Sequence, residues 1–245
     1  MSAVEGARLA RLFRSAGIPE RFRGLTLEGL EELLGGGRGK GGQDLQDLQE
    51  GGARPGLQGK RRAIAAARML MAEGEVVPAG LGRYDAAAGL RAGERVARPE
   101  VGRRGLVLWG PPGVGKTGIL TPALAHLVGL GMAGLWIEWY AFCQEVQRGY
   151  GDGSSAERLE AAMRAEVVLL DDVGDAGRGG EETEDKRRIL WMVLNERHGA
   201  ERLTMVTTNL DEEGFRARFG ARTAERLWEL AFVVPVGGVN LRRGM

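Results

Sequence analysis

Eight consecutive residues, Gly110-Pro111-Pro112-Gly113-Val114-Gly115-Lys116-Thr117, satisfy the spacing GxxxxGK[ST] at every fixed position. Glycines so placed let successive backbone N–H groups turn inward around phosphate oxygens, and a helix starting just behind adds the positive end of its dipole. Lys116 is then placed to reach the β- and γ-phosphates of a nucleotide, and Thr117 to ligate Mg²⁺. About fifty residues further on, the apolar run Val167 to Leu170 ends in Asp171 and Asp172. A phosphate loop of this kind needs one carboxylate to hold Mg²⁺ through water, and hydrolysis needs another to orient or deprotonate the attacking water. Asp171 suits the first role and Asp172 the second. A third run, Leu203 to Thr208, ends in Asn209. Asn209 has two readings: a group that positions water near the γ-phosphate, or a cap or turn before Leu210-Asp211.

Short apolar runs alternating with helical patterns must carry these groups. Strands are expected at Leu106 to Trp109, Leu135 to Trp139, Val167 to Leu170, Thr204 to Thr207 and Phe232 to Val236. Helices are expected at Thr117 to Leu130, Ala141 to Arg148, Ala156 to Arg164, Lys186 to Arg197 and Thr223 to Leu230. Strands separated by helices imply crossovers and a parallel sheet covered on both faces, an α/β architecture whose ligands sit at the carboxyl ends of strands. Pro122 lies beyond the first turn of the helix behind the loop, where its missing N–H predicts a kink.

The rest of the composition narrows the class. Lys plus Arg is 34 and Asp plus Glu is 33, so no bulk attraction to nucleic acid or acidic membrane is expected and any basic surface must be local. The single cysteine, Cys143, allows no internal disulfide and no cysteine-based zinc site, and with two histidines no metal-centred chemistry is expected. Residues 1–14 lack the apolar region and cleavage site of a secretory signal, which points to the cytoplasm. Thr117 to Ile137 carries no Asp, Glu, Lys or Arg, but its proline, histidine and glycines directly behind the loop favour a buried helix and strand over a membrane span. The 41 glycines among 245 residues are more than twice the usual share of about 7%. Many fall in residues 35–60, whose composition reads as a flexible insertion between a short helical segment, 1–34, and an ATPase domain, 61–245.

GPPGVGKT, LLDDVG, Asn195-Glu196-Arg197-His198, TTNL, GARTAERLWE and Gly238-Val239-Asn240-Leu241-Arg242 occur in the order that resembles the AAA+ ATPases of the DnaC/DnaI helicase-loader and IstB transposition-helper group. Ile18-Pro19-Glu20-Arg21-Phe22 resembles the segment preceding the core in the loaders. The resemblance implies a five-stranded parallel sheet flanked by helices, ATP with Mg²⁺, and self-assembly in which one subunit's arginine completes its neighbour's site. No C-terminal lid domain is evident. By position, Arg226 looks like that arginine finger, with Arg222 as a second candidate; a planar, permanently charged fork suits charge building on phosphate oxygens. The plain alternative is a solvated helix pairing Arg226 with Glu225 or Glu229. Arg242 matches the group's closing arginine, which would touch the γ-phosphate within its own subunit, and Arg243 is its alternative. The group grips single-stranded DNA around the region corresponding to Tyr140 to Arg164, where Tyr140, Phe142, Arg148, Tyr150, Arg158 and Arg164 could stack on bases or meet phosphates. They would equally serve an ordinary half-buried helix.

The resemblance points first to an ATPase that assembles on single-stranded DNA and loads a replicative helicase. An IstB-like helper delivering a transposase comes second, and an ATP-gated scaffold with little turnover third. Asp172 stands where most AAA+ proteins carry Glu, which implies slow hydrolysis. Leu9, Leu12 and Phe13 are the apolar residues that a minimal docking helix would offer a partner.

Overall fold

The computed structural model describes residues 3–30, 55–73, 105–151, 153–174, 183–238 and Asn240. Helix α1 is Ala3–Ser15 and α2 is Pro55–Glu73; then follow β1 Gly105–Trp109, α3 Lys116–Gly129, β2 Gly134–Glu138, α4 Trp139–Arg148, α5 Ser154–Arg164, β3 Val167–Val173, α6 Glu184–Gly199, β4 Leu203–Thr208, α7 Glu212–Phe219, α8 Ala221–Leu230 and β5 Phe232–Pro235. The five strands are parallel and ordered β2-β3-β4-β1-β5, so β1 is drawn between the two strands latest in sequence.

The alternation of side chains along each strand divides the core in two. Leu106, Leu108, Val167, Leu169 and Met205 face α2 and α3, together with Ile18 and Leu27 from the N-terminal segment. Val107, Val168, Leu170 and Val206 face Phe142, Val146, Leu190, Leu194 and Leu227 from α4, α6 and α8. Burial on both faces is why these strands are runs of Val and Leu. The charge-free stretch from Thr117 is α3, with nine buried residues, followed by β2. Among the described residues no helix is long and apolar enough to cross a membrane.

Several boundaries differ from expectation. Helix α3 runs from Lys116 to Gly129 with Pro122 inside it. Strand β2 ends at Glu138, because Trp139 is buried as the first residue of α4 and Glu138 caps that helix, its carboxylate accepting from Ala141 N–H at 2.8 Å. Helix α7 is additional: Asp211 caps it by accepting from Gly214 N–H at 2.8 Å, with Glu212 and Glu213 in its first turn. Helix α2 begins at Pro55, inside the span read as insertion; proline suits a first helical position, and Gly59 lies against the Pro235 carbonyl. Residues 31–54, the bulk of the insertion, lie outside the described residues.

The N-terminal segment belongs to the same core. Ala16, Ile18 and Leu27 are buried in it, Leu12 and Phe13 pack against it, and Leu9 lies beside Gly129. Leu9, Leu12 and Phe13 are half-buried, so part of each side chain is covered by this chain itself. The chain then meets the sheet: Trp136 N–H donates to Ala16 O at 2.7 Å.

Candidate functional site

The phosphate-loop motif links β1 to α3 at the carboxyl end of the sheet. Gly115 precedes α3 with φ 99°, and Gly113 has φ 83°; both lie in the left-handed region that side chains rarely adopt. Gly113 meets a second demand, since the Asn240 carboxamide lies where its Cβ would be. Lys116 begins α3, is 5% exposed, and folds back over the loop. Its Nζ donates to Gly110 O at 2.7 Å, Pro111 O at 3.0 Å and Asn209 Oδ1 at 2.7 Å. Asn209 thus meets the lysine directly from the end of β4. The stretch from Pro111 to Val114 forms the turn between these anchors, and Pro112 is exposed within it.

Thr117 Oγ1 donates to Asp171 Oδ1 at 2.8 Å, joining the start of α3 to β3. The same oxygen accepts from Thr207 Oγ1 at 2.6 Å. Asp171 is 3% exposed, and burial raises its carboxyl from the ordinary 3.8 to about 6. The Thr207 hydrogen bond opposes that rise, the charge of Asp172 adds to it, the Thr117 hydrogen bond opposes it, and the charge of Glu138 adds to it. A cation between Thr117 and Asp171 would relieve the burial cost. Their hard oxygens are the donors that Mg²⁺ takes, with substrate phosphates completing its shell. Among the described residues no group of three or more His, Cys, Asp or Glu could form a metal site from protein alone. Asp172 follows with φ 56°, uncommon for a residue with a side chain. Beside them, Glu138 ends β2 in register with Asp171.

The structure therefore brings together Lys116, Thr117, Asp171, Asp172 and Asn209 from three strand ends. Thr207, Glu138 and Asn240 join them without having been singled out as site residues. Two of them had a sequence signal, Thr207 in TTNL and Asn240 in the closing motif, but only lateral packing gives each a task.

The arginine candidates stand apart from this network. Helix α8 carries both Arg222 and Arg226. Arg226 donates to Glu229 at 2.8 Å, and Glu229 also lies 3.4 Å from His198. Arg222 stacks 5.8 Å over the Trp191 ring. Arg242 and Arg243 lie outside the described residues. In the region considered for DNA, Phe142 is buried in the core, Lys186 lies over the Tyr140 ring at 5.0 Å, and Arg158 and Arg164 pair with Glu145 and Glu160. Arg148 and Tyr150 remain exposed.

A parallel five-stranded sheet of this order, with a phosphate loop after β1 and an acidic end to β3, defines the core of an AAA+ P-loop protein. The family of IstB-like ATP binding proteins matches residues 101–243, more than half of the chain, and the chain belongs to that family. It is 33% identical over 109 residues to a protein assigned as the ATP-binding protein of insertion sequence IS1162 from Pseudomonas fluorescens, over 44% of this chain and 45% of that protein. The match thus spans less than half of that relative. Among solved structures, DnaI is similar with a TM-score of 0.56 at 21% identity, covering 73% of this chain and 85% of that one. The DnaC helicase loader is similar with a TM-score of 0.50 at 21% identity, covering 57% and 81%. At that identity the likeness is one of fold.

Proposed function

We propose that this chain is a Mg²⁺-dependent ATPase that acts on DNA as a helper of the IstB kind, assembling with itself and engaging a transposase. The observation that carries the ATPase reading is the convergence of Lys116 with Asn209, and of Thr117 with Asp171, across three strand ends. The insertion-sequence relative favours the transposase as partner.

In this reading Lys116 exchanges the loop carbonyls it now contacts for the β- and γ-phosphates, which frees Asn209 to hold water near the γ-phosphate. Thr117 and, through water, Asp171 would hold Mg²⁺. When bound, that ion neutralises charge on the phosphate oxygens. Asp172 orients or deprotonates the attacking water. Arg226 acts on a neighbour's site, with Arg222 beside it, and must leave Glu229 to do so. Arg242 touches the γ-phosphate within its own subunit. Single-stranded DNA stimulates the cycle, and the setting is the cytoplasm.

A second reading, loading of a replicative helicase, draws support from the Ile18-Pro19-Glu20-Arg21-Phe22 segment that precedes the core. Both readings predict steady-state ATP turnover, raised by single-stranded DNA, that falls by about 100-fold or more in Lys116→Ala. Turnover no greater than in that variant would sink both and leave the ATP-gated scaffold. Mixed Arg226→Ala and Lys116→Ala subunits should recover part of the activity if the arginine acts between subunits; no recovery would place it within one. Co-purification from the native host separates a transposase from a hexameric helicase.

A further inference from the structure

We propose that Thr207 is a positioning residue for the magnesium-binding carboxylate, its hydroxyl locking Asp171 and the backbone of Asp172 into one arrangement. This deepens the reading of the site as one for Mg²⁺ and ATP and rests on it.

Thr207 is fully buried. Its Oγ1 donates to Asp171 Oδ1 at 2.6 Å and accepts from Asp172 N–H at 2.8 Å. A hydroxyl has one proton to donate, so with that proton on the carboxylate its lone pairs are left for the amide, and its direction is fixed. Asp171 Oδ1 is also the oxygen that Thr117 meets, so Thr207 holds from β4 the atom that α3 approaches from the other side.

The clasp sits at an irregularity of the strand. Leu170 pairs with Val206 and Val173 with Thr208, so β3 advances three residues while β4 advances two. This bulge keeps Leu170 and Val173 in the same core, whereas residues three apart in a regular strand face opposite sides. Asp171 and Asp172 are both left outside that core, at the strand end. At this bulge the Asp172 amide takes the Thr207 hydroxyl as an acceptor. Thr208 closes the other side of the gap, donating to Val173 O at 2.7 Å. Valine matches threonine in shape and in preference for strands, so packing alone does not call for a hydroxyl at 207.

The test is binding of a fluorescent ATP analogue to the full chain, titrated with Mg²⁺ and repeated in EDTA, for the wild type, Thr207→Val and Thr207→Ser. Groups that orient metal ligands change metal affinity by about 10–100-fold. Thr207→Val should bind the analogue in EDTA within about twofold of the wild type, yet need about tenfold more Mg²⁺ or beyond to reach half of its metal-dependent gain. Thr207→Ser, which keeps the hydroxyl, should behave as the wild type. Equal Mg²⁺ midpoints for wild type and Thr207→Val overturn the inference, as does an equal loss of affinity with and without the metal. A wild type that gains nothing from Mg²⁺ overturns the metal reading of the site and this inference with it, whereas failure of the inference alone leaves the wild-type gain intact. Circular dichroism checks the fold of each variant; should Thr207→Val not fold, Thr207→Ala takes its place under the same criteria.

Discussion

Asp171→Asn is expected to make the nucleotide-free protein more stable at about pH 8 while lowering ATP turnover by about 100-fold or more. The stability half follows from the buried carboxyl, whose pKa is about 6 in the folded chain against an ordinary 3.8. The folded state therefore holds the proton more tightly than the unfolded one. Below the ordinary value both states are protonated and burial costs nothing; above about pH 6 both are ionised and the whole cost is present. A shift of this size corresponds to roughly 2–3 kcal/mol. Asparagine keeps an oxygen for Thr117 and Thr207 but has no charge to bury. Denaturant unfolding at about pH 8 should favour the variant by that order, with the advantage shrinking as the pH falls towards about 4. A variant less stable than the wild type at about pH 8, or an advantage independent of pH, would refute this account. Mg²⁺ with ATP should stabilise the wild type more than the variant, so the group that weakens the empty protein is the one that the ligand rewards.

Arg197→Leu should cost about 3–5 kcal/mol, a large part of the roughly 5–15 kcal/mol that holds most domains together. Arg197 has no exposed surface. Its guanidinium donates to Thr204 Oγ1 at 2.8 Å, Ala162 O at 2.9 Å, Ala165 O at 2.7 Å and Leu203 O at 2.6 Å. Two of these carbonyls end α5, where the last turn has no partners within the helix and its dipole favours a cation. Burial, with Arg202 nearby, lowers the pKa of Arg197 to about 9, so it remains charged at neutral pH. Leucine would fill much of the space and leave three carbonyls, two of them buried, without this donor. Lysine would keep the charge but not the planar fork, and should recover only part of the loss. Urea unfolding decides the matter: a loss below about 1 kcal/mol would mean that water or neighbouring groups satisfy those carbonyls.

What could be read from the sequence was what is local within it. The phosphate loop is eight adjacent residues, and its fixed glycines, lysine and threonine identify it before any fold is known. Strand β1 and the start of β3 were equally plain as unbroken apolar runs between turn signals. The bulge was not, because Leu170 to Val173 looks like any strand end until Thr207 is set beside it. Helix α7 was obscured by Gly214 and Gly220 at its margins, although Asp211, Glu212 and Glu213 carried an ordinary start signal. Arg197 and Arg226 looked alike, each an arginine near glutamates on a helix. Burial separates them: one braces α5 against β4, and the other holds a surface ion pair with Glu229.

The hydrogen bond from Trp136 to Ala16 has a consequence for solubility. Strand β2 is the outermost strand on its side of the sheet, and an open margin of this kind is a template onto which another molecule can add a strand. Ala16 occupies part of that margin, and the Trp136 carbonyl lies against Gly17, 3.2 Å from where a Cβ would stand. The N-terminal segment thus acts as partial insulation along the rim of the sheet, leaving less of it open to a strand from another molecule.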